Sequence, residues 1–264
     1  PTRRSSELVG HRKQAKRRPA AGGSQLHDAA VGADQARQSS NHRGQPQQLP
    51  GPDANGLIQA AWPVSATYTI PANATSGYYR VRFVLPSGMA TSTYVIVREP
   101  PGVASAILVQ VPVNTWQAYN SWGGRSLYNI PGAAVQANRV SFDRPYAWRA
   151  AGNQSPFGWE YPLVLFLEQN GYAVSYQTGA GTDADPSSLL DHRLVIDIGH
   201  DEYWTKGMRD AFEAARDSGV NLAFMGANDA YWQVRYENGG RVVVGYKSTA
   251  DPIGDPALQT VLFR

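Results

Sequence analysis

Hydrophobic and polar residues in the second half of the chain follow two periods, one typical of strands and one of helices. Short apolar runs rich in Val, Ile and Leu predict strands, and amphipathic runs that end at glycine predict helices. The predicted strands cover residues 106–111, 172–176, 194–198, 220–225 and 241–245, and the predicted helices cover residues 161–170 and 206–218. Strands that alternate with helices favour a parallel sheet with right-handed crossovers. We therefore predict an α/β domain over residues 101–264, with a mostly parallel sheet flanked by helices, of the Rossmann-like or glutamine-amidotransferase-like kind.

Residues 56–100 carry a different pattern, in which apolar and polar residues alternate over short segments and β-branched and aromatic residues are frequent. This alternation predicts three antiparallel strands at residues 66–70, 79–84 and 92–97. Three strands make a thin sheet, so we predict that this segment is the end of a β-domain or a β-flap on the domain that follows. The sequence Glu99-Pro100-Pro101-Gly102 predicts a linker between the two parts. At its other end the pattern breaks off at Arg264, which predicts that the α/β domain is truncated at its C-terminus.

The first 55 residues predict a basic, disordered tail. Residues 1–50 hold no aromatic residue and carry a net charge of +6. A segment with so few apolar side chains cannot bury enough surface to offset the entropy of ordering its backbone. Two interpretations stay open, because the segment is either a native tail or sequence that does not belong to the fold.

Composition excludes several classes of site. The chain has no cysteine, so disulfides, cysteine-ligated metals and thiol nucleophiles are absent. Beyond residue 50 the net charge is −3, which gives no reason to expect a nucleic-acid partner. No apolar run approaches the length of a membrane span, and we predict no membrane partner. The compartment and the oligomeric state stay open.

Polar side chains follow three of the predicted strands at the point where each strand ends. The three clusters begin at Asn114, His200 and Gly226. Because the carboxyl ends of parallel strands meet at one edge of a sheet, and ligands bind there, we expect the clusters to converge. This convergence is a stronger signal than any single motif in the chain.

His200 and Glu202 form the most informative pair in these clusters. They are two residues apart, so an extended backbone points both side chains the same way and turns Asp201 away from them. A carboxylate beside an imidazole suits general base catalysis or the binding of a hard metal ion. Two ligands do not make a metal site, and a lone histidine at a strand end is often only structural. A functional role and a purely structural role for this pair therefore both stay open.

Several blocks in the same order resemble the C-terminal domain of the N,N-dimethylformamidase large (beta) subunit family. The resemblance extends over roughly residues 76 to 264. The blocks that carry it are Val113-Asn-Thr-Trp-Gln-Ala-Tyr-Asn120, Val140-Ser-Phe-Asp-Arg-Pro145, Gly199-His-Asp-Glu-Tyr-Trp204, Gly226-Ala-Asn228 and Tyr231-Trp-Gln-Val-Arg235. The founding enzyme of that family hydrolyses a formamide C–N bond at a mononuclear ferric site with two tyrosine ligands and one glutamate ligand.

The resemblance implies a set of site residues in this chain. Matched residue by residue, it implies one Fe(III) held by Tyr79, Tyr119 and Glu202, with Tyr79 preferred over the adjacent tyrosine. It implies that His200, Glu202 and the pocket residue Asn228 take part in catalysis. Phenolate and carboxylate oxygens are hard donors that suit a hard cation. The resemblance also implies a small linear amide as substrate and a separate small subunit as a partner.

Two functions from different classes remain after this comparison. The leading hypothesis is a metal-dependent amidohydrolase that acts on carbon–nitrogen bonds of linear amides. The alternative is a non-catalytic domain of the same fold, which binds a ligand or carbohydrate with an aromatic rim. The rim would consist of Trp116, Trp122, Trp148, Trp159, Trp204 and Trp232. A glutamine-amidotransferase-like hydrolase is a third class, but it lacks its cysteine nucleophile here.

Overall fold

The structure is a computed structural model that describes residues 27–29, 47–64, 67–84, 87–100, 102–129, 135–147 and 157–263. Most of the predicted tail therefore lies outside the described residues, as does Trp148. The described strands are β1 (His27–Ala29), β2 (Gly77–Val84), β3 (Ala90–Val97), β4 (Ile107–Val111), β5 (Arg125–Ser126), β6 (Val135–Gln136), β7 (Arg139–Ser141), β8 (Val174–Thr178), β9 (Leu194–Gly199), β10 (Tyr203–Thr205), β11 (Asn221–Gly226), β12 (Trp232–Glu237) and β13 (Val242–Val244). The α-helices are α1 (Val113–Tyr119), α2 (Tyr161–Gln169), α3 (Gly179–Ala184) and α4 (Lys206–Asp217).

A four-stranded parallel sheet forms the centre of the predicted α/β region. Its strand order is β11-β9-β4-β8, and all three pairings are parallel. The strands are apolar because both faces of the sheet are covered. One face packs on a cluster around Trp116, Tyr176 and Ile196, and the other packs on α4 through Trp204 and Phe212.

The predicted fold class is wrong beyond this sheet, because the rest of the structure is mixed rather than parallel. A second four-stranded sheet has the order β10-β12-β13-β7, in which only β10 and β12 are parallel. The physical reason lies in the turn Asn238-Gly239-Gly240, whose residues all have positive φ. Such a turn joins β12 to β13 as an antiparallel hairpin, so the valine run at 242–244 does not extend the parallel sheet. The architecture is therefore not a clear Rossmann-like fold.

The N-terminal β segment forms a small sheet with the order β1-β2-β3. Strands β2 and β3 pair antiparallel over eight residues, as predicted, whereas β1 pairs parallel to β2. The remaining predicted strand, at residues 66–70, is wrong over the residues of it that the structure describes. Residues 67–70 have no strand partner there, and Tyr68 and Ile70 stay half exposed. Alternation alone does not make a strand when no neighbouring strand is available.

Helix α4 matches its prediction closely. The Thr205 hydroxyl caps its first turn by accepting the Met208 N–H at 3.0 Å. Its buried face consists of Met208, Ala211, Phe212 and Ala215. Among the described residues, no helix combines the length and the apolar character that a membrane crossing requires.

Strand β11 lies at one edge of the parallel sheet. Within the described part of the chain it pairs only with β9. Phe224 and Met225 point to opposite faces of the sheet and are about half exposed, at 51% and 56%. This edge carries no charged residue and no proline between Asn221 and Gly226.

Strands β9 and β11 approach each other most closely at a pair of glycines. Gly226 lies opposite Gly199 in the parallel register. A Cβ atom on Gly226 would lie 2.3 Å from the Gly199 carbonyl oxygen and 2.8 Å from Asp229 Oδ1. Any side chain at Gly226 therefore forces the ends of the two strands apart.

We expect Gly226→Ala to lower the free energy of unfolding by about 1–3 kcal/mol, because the added methyl group overpacks the strand ends. Gly254→Ala is the matched control, since its added Cβ would meet no atom within 4 Å. Urea unfolding of both variants measures the difference. Equal stability of the two variants would contradict the close approach.

Candidate functional site

The candidate site lies at the carboxyl edge of the parallel sheet, where β4, β9 and β11 end. The Ala227 N–H donates to the Gly199 carbonyl oxygen at 3.1 Å, which joins the ends of β11 and β9. The Glu202 N–H donates to Thr115 Oγ1 at 3.0 Å, which joins the loop after β9 to α1. The three polar clusters therefore converge, as their positions at parallel strand ends predict.

The Glu202 carboxylate is the centre of the site. Its Oε2 accepts from the Tyr119 hydroxyl at 2.9 Å and bonds to His200 Nε2 at 2.8 Å. Its Oε1 accepts a short hydrogen bond from the Tyr128 hydroxyl. The Glu202 residue is 2% exposed, so protein groups rather than bulk solvent stabilise this carboxylate. Two phenol oxygens, two carboxylate oxygens and one imidazole nitrogen thus meet at one place.

Burial and hydrogen bonding act in opposite directions on these groups. Burial raises the pKa of Glu202, but the hydrogen bonds from His200, Tyr128 and Tyr119 outweigh it and leave the pKa lowered. Burial, followed by the bond to Glu202, raises the pKa of Tyr128 to about 12. Burial together with Tyr128 and Glu202 also raises the pKa of Tyr119. At neutral pH the site therefore holds one carboxylate and two neutral phenols.

Sequence reasoning missed Tyr128, which contacts Glu202 as directly as Tyr119 does. The Leu127 N–H donates to the Ala118 carbonyl oxygen at 2.9 Å and brings this segment against the end of α1. As a result the rings of Tyr119 and Tyr128 stack, with centroids 4.4 Å apart and an interplanar angle of 25°. The signal in the sequence that could have found it is a second tyrosine shortly after the Gly123-Gly124 turn.

Lys247 is a second residue that sequence reasoning missed. Its Nζ lies 3.3 Å from the centre of the Tyr128 ring and donates to the Leu127 carbonyl oxygen at 2.9 Å. The rings of Tyr203 and Trp232 lie within 5.5 Å of the same nitrogen. Burial lowers the pKa of Lys247 to about 7, and the negative charge of Glu202 acts in the opposite direction. Lys247 is the basic group that faces the ring of Tyr128.

The structure does not bring Tyr79 and Asn228 to Glu202. The Tyr79 hydroxyl donates to the Thr75 carbonyl oxygen at 2.7 Å, on the β2–β3 sheet. The adjacent Tyr78 points into the core instead, with its ring centroid 4.4 Å from that of Phe157. Asn228 is exposed in the turn after β11 with φ of 58°, and its carbonyl oxygen accepts the Tyr231 N–H at 3.1 Å.

The polar residues of α1 support the site rather than line it. Asn114, Thr115 and Gln117 are each 1% exposed. Asn114 Nδ2 donates to the Tyr203 carbonyl oxygen at 3.0 Å, so α1 holds the chain on both sides of Glu202. Of the predicted aromatic rim, Trp116 and Trp204 are core residues that are 5% and 2% exposed.

A metal centre at Glu202 would need tyrosine oxygen atoms among its ligands. Within the described residues, no group of three or more His, Cys, Asp or Glu side chains is arranged to hold a metal ion. The donors around Glu202 are instead phenol and carboxylate oxygens, which hard trivalent and divalent cations prefer. This donor set fits Fe³⁺ by its chemistry.

Comparison with known proteins places the chain in a family. The family model described as N,N-dimethylformamidase beta subunit-like, C-terminal, matches residues 24–264, and the chain belongs to this family. Among curated relatives, the N,N-dimethylformamidase beta subunit of an Alcaligenes species is 25% identical over 219 residues. The match covers 67% of this chain and 28% of that relative, so the chain spans less than a third of the relative's length.

We expect the buried Lys247 ammonium group to make stability depend on pH. The unfolded chain keeps this proton up to about pH 10.5, whereas the folded chain releases it near pH 7. The free energy of unfolding of the native chain, relative to Lys247→Met, should therefore rise as the pH increases from about 7 to about 10. Urea unfolding at several pH values measures this difference.

Lys206→Met serves as the control for this measurement, because the Lys206 side chain is 46% exposed on α4. A stability difference that changes with pH equally for both lysines would contradict the assignment of the effect to Lys247.

Proposed function

We propose that this chain carries the active site of an amidohydrolase that cleaves the C–N bond of small linear amides of the formamide type. Membership of the dimethylformamidase family supports this reaction class. The single observation that carries the proposal is the convergence of Tyr119, Tyr128 and His200 on the Glu202 carboxylate. A buried carboxylate with three such donors is costly to assemble for structural purposes alone, and such clusters mark functional sites.

We further propose that one Fe³⁺ ion binds at Glu202, with Tyr119 and Tyr128 as the two phenolate ligands. This assignment replaces the earlier expectation for Tyr79, whose hydroxyl bonds to Thr75 on another sheet. Both phenol oxygens already bond to the two oxygens of one carboxylate, so a cation that displaces their protons finds its oxygen donors in place. Such binding releases protons, because neutral phenols must become phenolates.

Different residues of the chain have different roles in the proposed hydrolysis. A ferric ion at this place would polarise the amide carbonyl and lower the pKa of a bound water molecule. His200, which bonds to Glu202 through Nε2, moves a proton to the leaving amine. Lys247 holds Tyr128 in place through its ring and through Leu127.

A partner subunit and a small substrate complete the proposal. The relative is named a beta subunit, and we propose that this chain also works with a second, smaller subunit. The substrate that we propose is a small linear amide, in line with membership of the dimethylformamidase family.

We expect Tyr128→Phe and Tyr119→Phe each to weaken and shift the visible charge-transfer absorption, and to lower the iron content, of the protein purified from iron-replete cells. The reason is that each variant removes one phenolate donor. Tyr79→Phe is the matched control and should keep both the absorption and the iron content. Iron is measured by mass spectrometry and the absorption by visible spectroscopy. If Tyr128→Phe keeps its colour and Tyr79→Phe loses it, the ligands are Tyr79, Tyr119 and Glu202 instead.

We expect Glu202→Gln to lower kcat/KM for N,N-dimethylformamide by at least about 10³-fold, since the central ligand and the partner of His200 are both lost. Release of amine from the chain, with its partner subunit where one is required, measures the rate. Glu237→Gln is the control, because Glu237 pairs with Arg139 on the second sheet. Full activity of Glu202→Gln would exclude this site as the place of reaction.

A further inference from the structure

Arg144 is a buried cation that the candidate site has not yet accounted for. It lies in the block at residues 140–145 and is 6% exposed. The carboxylate of the neighbouring Asp143 accepts from Arg241 and Gln59 instead. A buried charge is costly unless hydrogen bonds satisfy it, so the partners of this guanidinium show what it is for.

The five N–H groups of the Arg144 guanidinium match five oxygen acceptors, and four of these are backbone carbonyl groups. Nη2 donates to the carbonyl oxygens of Gln117 at 3.1 Å and Asn120 at 2.9 Å. Nη1 donates to those of Trp122 at 3.1 Å and Arg125 at 2.8 Å. Nε donates to the side-chain oxygen of Gln117 at 3.3 Å. The planar fork of arginine is the side chain that offers five donors in a fixed arrangement.

Two of these carbonyl groups belong to the C-terminal end of α1, on either side of Tyr119. The last carbonyl groups of a helix lack a partner within it and carry partial negative charge, so a cation is favourable there. Asn120 strengthens the same junction, because its Nδ2 donates to the Pro145 carbonyl oxygen at 2.9 Å and its Oδ1 accepts the Ala147 N–H at 3.0 Å. The end of α1 and the segment that carries Arg144 are therefore tied together.

The other two carbonyl groups belong to the turn that leads from α1 towards Tyr128. This turn contains Gly123 and Gly124, whose φ angles are 77° and 83°. Two successive glycines allow the backbone many conformations, so the direction in which the chain leaves the turn must be set by other contacts. The guanidinium sets it by binding the carbonyl groups of Trp122 and Arg125, one on each side of the glycine pair.

We infer that Arg144 is a positioning residue that aligns the stacked rings of Tyr119 and Tyr128, so that both hydroxyls reach the same carboxylate. It acts through the backbone, because one guanidinium holds the chain around the first tyrosine and the turn before the second. The alignment follows from these hydrogen bonds. Its effect on catalysis rests on the proposed function.

Arg144→Lys tests the alignment, because it keeps the positive charge and loses the fork of donors. The near-ultraviolet circular dichroism of the native chain minus that of Tyr128→Phe isolates the signal of Tyr128 packed against its neighbours. The same difference, taken between Arg144→Lys and the Arg144→Lys/Tyr128→Phe double variant, should be smaller by more than half. An unchanged difference spectrum would overturn the inference.

Arg241→Lys is the matched control for this measurement. The Arg241 side chain is 54% exposed and pairs with Asp143, the residue next to Arg144. The difference spectrum of Tyr128 in the Arg241→Lys background should therefore equal that of the native chain. An equal reduction in both backgrounds would count against a specific role for Arg144.

Far-ultraviolet circular dichroism shows whether Arg144→Lys folds. If it does not, Gln117→Met takes its place, because this variant removes the side-chain oxygen that accepts from Arg144 Nε and leaves the four backbone carbonyl groups. Gln117→Met should reduce the same difference spectrum by a smaller fraction. A spectrum that this variant leaves unchanged would contradict the alignment.

Activity tests the consequence for catalysis. Because small displacements of reacting groups cost large factors in rate, Arg144→Lys should lower kcat/KM for N,N-dimethylformamide by about 10- to 100-fold, and Arg241→Lys by less than about twofold. Full activity in an Arg144→Lys variant with a reduced difference spectrum would overturn the catalytic part of the inference. An inactive native chain whose difference spectrum is reduced by Arg144→Lys would contradict the proposed function and leave the alignment intact.

Discussion

The hydrogen bonds to the Glu202 carboxylate are the constraint on which the arrangement of the site depends. A carboxylate that is 2% exposed must find its donors within the protein. The three donors come from separate parts of the chain, namely the end of α1, the segment after β5 and the loop after β9. Satisfying one buried charge therefore ties the loop after β9 to two segments that are more than 70 residues away in sequence.

The scaffold behind this carboxylate is itself polar. Thr115 and Asn114 on α1 bond to the backbone on either side of Glu202. Arg144, which is 6% exposed, donates to the backbone carbonyl oxygens of Gln117 and Asn120 at the end of the same helix. Burial lowers the pKa of Arg144 to about 10. Helix α1 is thus held in place by hydrogen bonds as much as by apolar packing, which explains why so polar a segment is buried.

The sequence could predict those parts of the fold whose signals are local. The strands of the parallel sheet and helix α4 have strong hydrophobic patterns, and the convergence of three strand ends follows from parallel geometry alone. The second sheet could not be predicted as easily, because the partner of β13 is set by the turn at residues 238–240 and by the distant strand β7.

The site was predictable to a similar extent. His200, Glu202 and Tyr119 lie in motifs at strand ends, and the structure brings these three together. Tyr128 reaches Glu202, and Lys247 reaches the ring of Tyr128, through loop geometry that no periodicity encodes. Tyr79 was assigned as a ligand by resemblance over a short block of generic strand sequence. Such a block does not show whether the matching ligand is this tyrosine or one further along the chain. That assignment stays a prediction for the ligand experiments to decide.

Strand β11, which pairs only with β9 in the part of the chain that the structure describes, has a practical consequence for handling the protein. Natural sheets guard their edges with charges, prolines or bulges, and β11 has none of these between Asn221 and Gly226. Backbone donors and acceptors on that edge, with Phe224 and Met225 on either face, offer a template for strands of neighbouring molecules. Met225→Lys would place a charge on this edge, where the native side chain is half exposed, and should reduce association in concentrated samples.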